Sequence, residues 1–214
     1  MCAVPGARFV SEIAYIPAAF RENRSKTLYD FIRQRSFGTM VAVHLGEVVI
    51  AQAPVIVSEG VLRFHLARGN GFLDAARAGA HVKAVFSGPD AYVSPDWYES
   101  QNQVPTWNYV SVYAEGPMRL LSDEELTAQI DALSAEHEAR LAPKKPWTRA
   151  KMAQGSDARL LAAIEGVELR VTHILGKYKL SQSKSAADVA RAAAALEALG
   201  RADLASQMRS VTSS

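Results

Sequence analysis

The stretch Gly38-Thr39-Met40-Val41-Ala42-Val43, followed by Leu45-Gly46 and then Glu47-Val48-Val49-Ile50-Ala51, decides how the rest of the chain is read. Two β-branched runs stand either side of a short glycine turn, which is the pattern of an antiparallel hairpin. Pro54 closes the second run and lacks a ladder donor, so an edge or a bulge is expected there. Val55-Ile56-Val57 leads to a Glu59-Gly60 turn, and Val61 to Leu66 alternates as the next strand. Gly69-Asn70-Gly71 breaks it, and Phe72 to Ala78 reads as a short helix. Further strands are expected at His81 to Phe86 and Ala91 to Ser94 around a Gly88-Pro89 turn. A loop from Asp96 to Pro105 precedes a long strand from Tyr109 to Leu121.

Helices flank and follow these strands. An extended arm over residues 10–24, carrying Tyr15-Ile16-Pro17, leads to a helix capped by Ser25 with Leu28, Phe31 and Ile32 at helical spacing. Ser122-Asp123-Glu124-Glu125 matches a capping box, opening a helix to about Arg140. Lys144 to Gln154 reads as a basic loop, and Asp157 to Ile164 as a helix. Val167 to His173 and Gly176 to Leu180 are the last strands, and helices over 186–199 and 202–208 form an alanine-rich tail. Hairpin-linked strands without βα alternation predict a mainly β, α+β fold: a closed or split antiparallel barrel with peripheral helices. The expected division is a barrel domain over 1–183, with inserted helices at about 122–165, and a helical tail over 184–214.

Composition permits this and narrows the function classes. Of 214 residues, 49% are hydrophobic and 21% charged, enough for an ordinary core. A net charge of +2 calls for neither a nucleic-acid nor a membrane partner. The lone Cys2 has no disulfide partner. No signal peptide and no run of about 18 apolar residues is evident, so a reducing, cytoplasmic setting is the expectation. His44, His65, His81, His137 and His173 lack metal-ligand spacing, and no nucleophile elbow, GxGxxG or P-loop pattern occurs. The basic cluster Lys144, Lys145, Arg149 and Lys151 reads as a solvated loop rather than a DNA contact.

Four segments could serve a ligand. Phe64-His65-Leu66-Ala67-Arg68-Gly69-Asn70 ends a strand before a helix and gathers imidazole, guanidinium, amide and free backbone groups suited to an anion. It reads equally as a turn with a solvated Arg68 and a capping Asn70. Gln52-Ala53-Pro54 leaves backbone groups for a flat ligand's edge, or is an edge-strand proline. The aromatic stretches Tyr92 to Tyr98 and Pro105 to Tyr109, including Trp107, could wall a planar ligand or simply pack. Lys177, Lys179, Ser181 and Gln182 could meet a phosphate, or end a strand in solvent.

Taken in order, several pieces resemble the PaiB-type FMN-binding negative transcriptional regulator family. They are Tyr15-Ile16-Pro17 with Phe20-Arg21, Gly38-Thr39, Leu62 to Asn70, Val85 to Pro95, Trp97-Tyr98, Val104 to Val110 and Gly176 to Gln182, together spanning residues 10–183. The resemblance implies an FMN-binding split barrel acting as a homodimer, with FMN in a cleft between subunits. It implies a phosphate held around His65, Leu66, Arg68 and Asn70, and a ring along Thr39 and Gln52, Ala53 and Pro54. Trp107 belongs to the expected site, and the Lys177, Lys179, Ser181 and Gln182 piece approaches it. Departures lie at Gln52-Ala53, where relatives carry histidine before the proline, at Gly71-Phe72-Leu73, and in the short loop Glu99 to Gln103. Three functions follow: a flavin-dependent redox protein acting on a small molecule, a transcriptional regulator working through FMN state, or a haem-handling relative using His65 or His173.

Overall fold

The computed structural model describes residues 13–58, 60–153 and 155–211. Cys2, the start of the arm, Glu59 of the expected turn and Gln154 fall outside them. In chain order the elements are β1 (Arg21–Glu22), α1 (Ser25–Arg35), β2 (Phe37–His44), β3 (Glu47–Pro54), β4 (Ile56–Ser58), β5 (Val61–Ala67), α2 (Phe72–Arg77) and β6 (His81–Val93). Then come β7 (Thr106–Leu120), α3 (Asp123–Ala139), α4 (Ser156–Leu161), β8 (Ile164–Arg170), β9 (His173–Lys179), α5 (Ala186–Ala198) and α6 (Ala202–Ser210).

The β2–β3 hairpin pairs Phe37 with Pro54 through His44 with Glu47. Its turn residues Leu45 and Gly46 both have positive φ, 52° and 85°, the primed geometry that matches strand twist. The strand order β3-β2-β6-β7-β8-β5-β4 leaves β3 and β4 at the two ends. All pairings are antiparallel. Strand β7 bends the sheet on itself. Its residues Tyr109 to Glu115 pair with β9, whereas Met118 to Leu120 pair with β8. The result is an open, split barrel, and Pro54 does end an edge strand.

The Gly88-Pro89 turn expected between two strands is instead a bulge within one strand. Ser87 faces Ser111 and Asp90 faces Tyr109, so β6 carries one residue more than β7 over that interval. Proline costs the ladder a donor there, and the bulge accommodates that loss. Gly88 is required: a Cβ would lie 2.7 Å from Phe31 Cζ and 3.0 Å from Val110 Cβ. Other boundaries shift modestly. Arg24, not Ser25, caps α1, and its side chain makes no capping bond. The predicted capping box forms at α3, with Ser122 Oγ accepting from Glu125 N at 3.2 Å and Glu125 Oε2 accepting from Ser122 N at 2.9 Å. Strand β8 begins at Ile164, inside the expected helix, because Ala67 of β5 supplies it with a ladder partner.

One core runs through these layers. Met40, Phe64, Phe86 and Val112 bury their side chains from the strands, and Leu28 and Ile32 do so from α1. The tail joins the same core through Val189, Ala193 and Leu196 of α5 and Leu204 and Met208 of α6, all at most 1% exposed. Alanines at the contact face let these short helices approach closely.

Candidate functional site

The end of β5 is the first cluster. Leu66 is buried in the core, so only its backbone is available there. His65 points outward and is covered by α3, where Gln129 Nε2 lies 3.4 Å from its Nδ1. Burial pushes the His65 imidazole below its ordinary value, favouring the neutral ring. Gln129 is 2% exposed, and its Oε1 has no protein partner. Arg68 donates from Nε to the Ala162 carbonyl at 2.6 Å and lies 3.1 Å from Glu165. The second oxygen of Glu165 takes Arg77 at 2.7 Å. Asn70 Oδ1 accepts from Phe72 N at 3.0 Å, closing the first turn of α2. Each side chain of this cluster thus has an internal partner, although half of the Arg68 side chain stays in solvent. Neither Gln129 nor Glu165 is legible from sequence as a neighbour of β5, because each reaches it only through the fold.

The strand pair is the second cluster, and it adjoins the first. Thr39 and Gln52 are register partners, with Gln52 Nε2 3.4 Å from Thr39 Oγ1. Ala53 turns into the core at 1% exposure, while Gln52 faces solvent. As an edge strand, β3 pairs with β2 on one side only, so alternate backbone groups lack a strand partner on the other. Strand β3 also packs against β5. The β4–β5 register pairs Ile56 with Arg63, so the chain leaving Pro54 enters, two residues on, a strand paired with β5. Strands β3 and β5 therefore meet at one corner of the barrel.

The outer face of the sheet carries the third group. Across it run Gln52, Thr39, Val85 and Tyr113 as successive cross-strand partners. A groove of about 440 Å³ beside the β6 bulge is lined by Val85, Ser87, Asp90, Trp107, Tyr109 and Ser111, among others. Trp107 packs edge-on against Tyr92, centroids 6.4 Å apart, and remains 55% exposed. On β9, Lys177 is the register partner of Ser111, and its ammonium lies 5.5 Å from the ring centroid of Tyr109, both lining residues. Lys179 donates to Thr106 Oγ1 at 2.5 Å. The arm's Ile13 and Ile16 bury Leu175 beyond the row.

Ser181 and Gln182 do structural work in the chain itself. Ser181, at φ 68°, sits 3.1 Å from Tyr98 Oη and accepts from Asn108 Nδ2 at 2.8 Å. Gln182 Oε1 accepts from Leu180 N at 2.8 Å, and its amide donates to the Tyr178 carbonyl. His173 lies 3.4 Å from Glu115 at the β8–β9 turn. Among the described residues no group of three or more His, Cys, Asp or Glu side chains could hold a metal, and no helix is long and apolar enough to cross a membrane.

The family model described as "Putative FMN-binding domain" matches residues 14–173, which carry the first two clusters and the β6 and β7 residues of the third. The chain belongs to that family. The cofactor of the family is FMN, and the open edge of β3, the half-exposed Arg68 and the orphaned Gln129 oxygen at one corner fit such a group. A Bacillus subtilis relative, the protease synthase and sporulation protein PAI 2, is 29% identical over 178 residues, covering 81% of this chain and 84% of its own. Among solved structures, the FAD and heme binding protein from Mycobacterium smegmatis superposes with TM-score 0.56 at 20% identity, over 74% of this chain and 73% of that one. Conserved hypothetical protein Rv2991 from Mycobacterium tuberculosis gives TM-score 0.58 at 12% identity, over 80% and 94%. These likenesses show the split-barrel fold.

Proposed function

We propose that the chain is a flavin-dependent redox protein that holds FMN at the β3–β5 corner and acts on a small molecule as a homodimer. The observation that carries this reading is the meeting of the β5 end with the open β3 edge. Arg68, the backbone from His65 to Asn70 and the turn into α2 would hold the phosphate. Thr39, Gln52 and the β3 backbone through Pro54 would meet the ring. When bound, FMN supplies the electron transfer, and this chain's residues orient it and exclude water. The neutral state favoured for His65 lets its ring donate or accept one hydrogen bond there without adding charge.

The exposed Phe37, Val43, Val48 and Ile50 of the β2–β3 hairpin support the dimer. A row of large apolar side chains this open marks a surface that meets another protein, and a second copy would cover the corner. Purified protein that stays colourless and shows no absorbance change or quenching on FMN addition would overturn the reading. A regulatory role is suggested by the B. subtilis relative, a sporulation protein, and gel-shift with salt titration tests it. Haem binding draws on the likeness in fold to the FAD and heme binding protein of M. smegmatis, and a missing Soret band after haem addition removes it.

A further inference from the structure

Lys177 is a cation of the sheet face held by aromatic rings rather than by a carboxylate. Its ammonium lies 5.9 Å from the Tyr15 ring centroid and 5.5 Å from that of Tyr109. It donates one hydrogen bond, at 3.3 Å, to the Tyr15 carbonyl. Among the described residues it has no carboxylate partner, whereas Lys83 on the same face lies 3.6 Å from Glu115. The two rings hold the ammonium through their negative faces and leave its remaining N–H donors available.

The register then extends this cation into the groove. Lys177 faces Ser111, and Ser111 faces Ser87, so a positive charge is followed by two hydroxyls across three strands on one face. Trp107 and Tyr109 give the groove aromatic walls, and its volume of about 440 Å³ suits a small ligand. Asp90 also lines it, opposite Tyr109, which penalises a second negative charge on any occupant.

We infer that this groove takes a planar aromatic monocarboxylate, with its ring against Trp107 and Tyr109 and its oxygens on Lys177, Ser111 and Ser87. The inference deepens the flavin reading and rests on it for its meaning. Val85 of the groove pairs with Thr39 on the strand assigned to the ring, so the occupant would be the molecule that meets the flavin.

The test uses benzoate and its neutral counterpart benzamide as probes. Each is titrated into the full chain with and without FMN while the indole N–H signals are followed by two-dimensional NMR. Trp97 and Trp147 serve as internal references. Benzoate is expected to move the Trp107 signal saturably, and to bind about tenfold more tightly than benzamide, the scale of one charge-assisted bond. Lys177→Met should weaken benzoate about tenfold and leave benzamide unchanged, which also shows that the variant is folded. An unmoved Trp107 signal, equal binding of the two probes, or an indifferent Lys177→Met would overturn the inference. Flavin absorbance, read on the same samples, separates the two readings. FMN binding with no benzoate response sinks the groove alone, whereas a benzoate response without FMN binding keeps the groove and sinks the flavin site.

Discussion

The corner where β3 meets β5 and the outer face of β2, β3, β6 and β7 are built on opposite terms. At the corner, charge is answered within the chain. Arg68 and Arg77 share Glu165, Arg77 also takes Asp74, and Asn70 caps its own helix. On the outer face, Ile50 and Val48 are more than 60% exposed, and Lys177 has two tyrosine rings in place of a carboxylate. A neutralised cluster is stable with or without a ligand, and must exchange partners to bind one. An open apolar face carries a standing cost in water and gains by being covered. The corner is a cluster satisfied within the chain, and the outer face is a surface left incomplete.

The largest test falls on the surface. Ile50→Lys places a charge where a second copy would pack. It should weaken self-association by more than about 100-fold, because an unpaired charge buried in an interface costs several kcal/mol. Sedimentation of the two proteins at matched concentration checks this. The monomer should unfold within about 0.5 kcal/mol of the parent, as for other exposed sites. A variant that remains dimeric removes this face as the contact.

The corner should respond more modestly. Arg68→Met should lower FMN affinity about tenfold, the scale of one charge-assisted hydrogen bond, with little change in urea midpoint. Flavin fluorescence quenching measures it, and an unchanged Kd would move the phosphate elsewhere. Glu165→Gln should act in the other direction, strengthening FMN binding by about threefold as two guanidinium groups lose their internal anion. If both substitutions weaken FMN equally, Glu165 is an organiser of the corner rather than a competitor for Arg68.

The smallest effect is one of pH. Burial lowers the His65 pKa below the ordinary 6.5. The unfolded chain therefore takes up this proton first as pH falls. The stability linked to the neutral ring is fully present above 6.5 and is lost as pH drops through and below that value. His65→Gln should flatten the pH dependence of the urea midpoint in that window. Glu125 responds lower on the scale, since Arg119 and then the Ser122 N–H hold its carboxyl at about 2. Its contribution to the α3 cap is present above the unfolded value of 4.5 and fades as pH falls toward 2. A slope that survives His65→Gln would shift attention to the other histidines.

Much of this is legible from local pattern. The Leu45-Gly46 turn with its β-branched flanks specifies a hairpin, since only the primed turn joins such strands tightly. Ser122 and Glu125 announce the start of α3 by reciprocal capping. Gly88-Pro89 reads as a turn and is a bulge, because both use the same residues and only the neighbouring strand distinguishes them. Ser181 and Gln182, grouped in sequence with a ligand site, are engaged by Asn108, Leu180 and Tyr178. Their chemistry is visible in the sequence, and their partners are not.

The sequence by itself determined the antiparallel class, the hairpin register, the capping box of α3 and the family, because turn chemistry, alternation and ordered motifs are local properties. Only the tertiary structure decided that Glu165 answers Arg68, that Gln129 covers His65, that β3 packs against β5, and that Lys177 comes opposite Ser111. These contacts join residues from different strands and helices. A charge's partner is set by which elements pack together, and no local pattern encodes that.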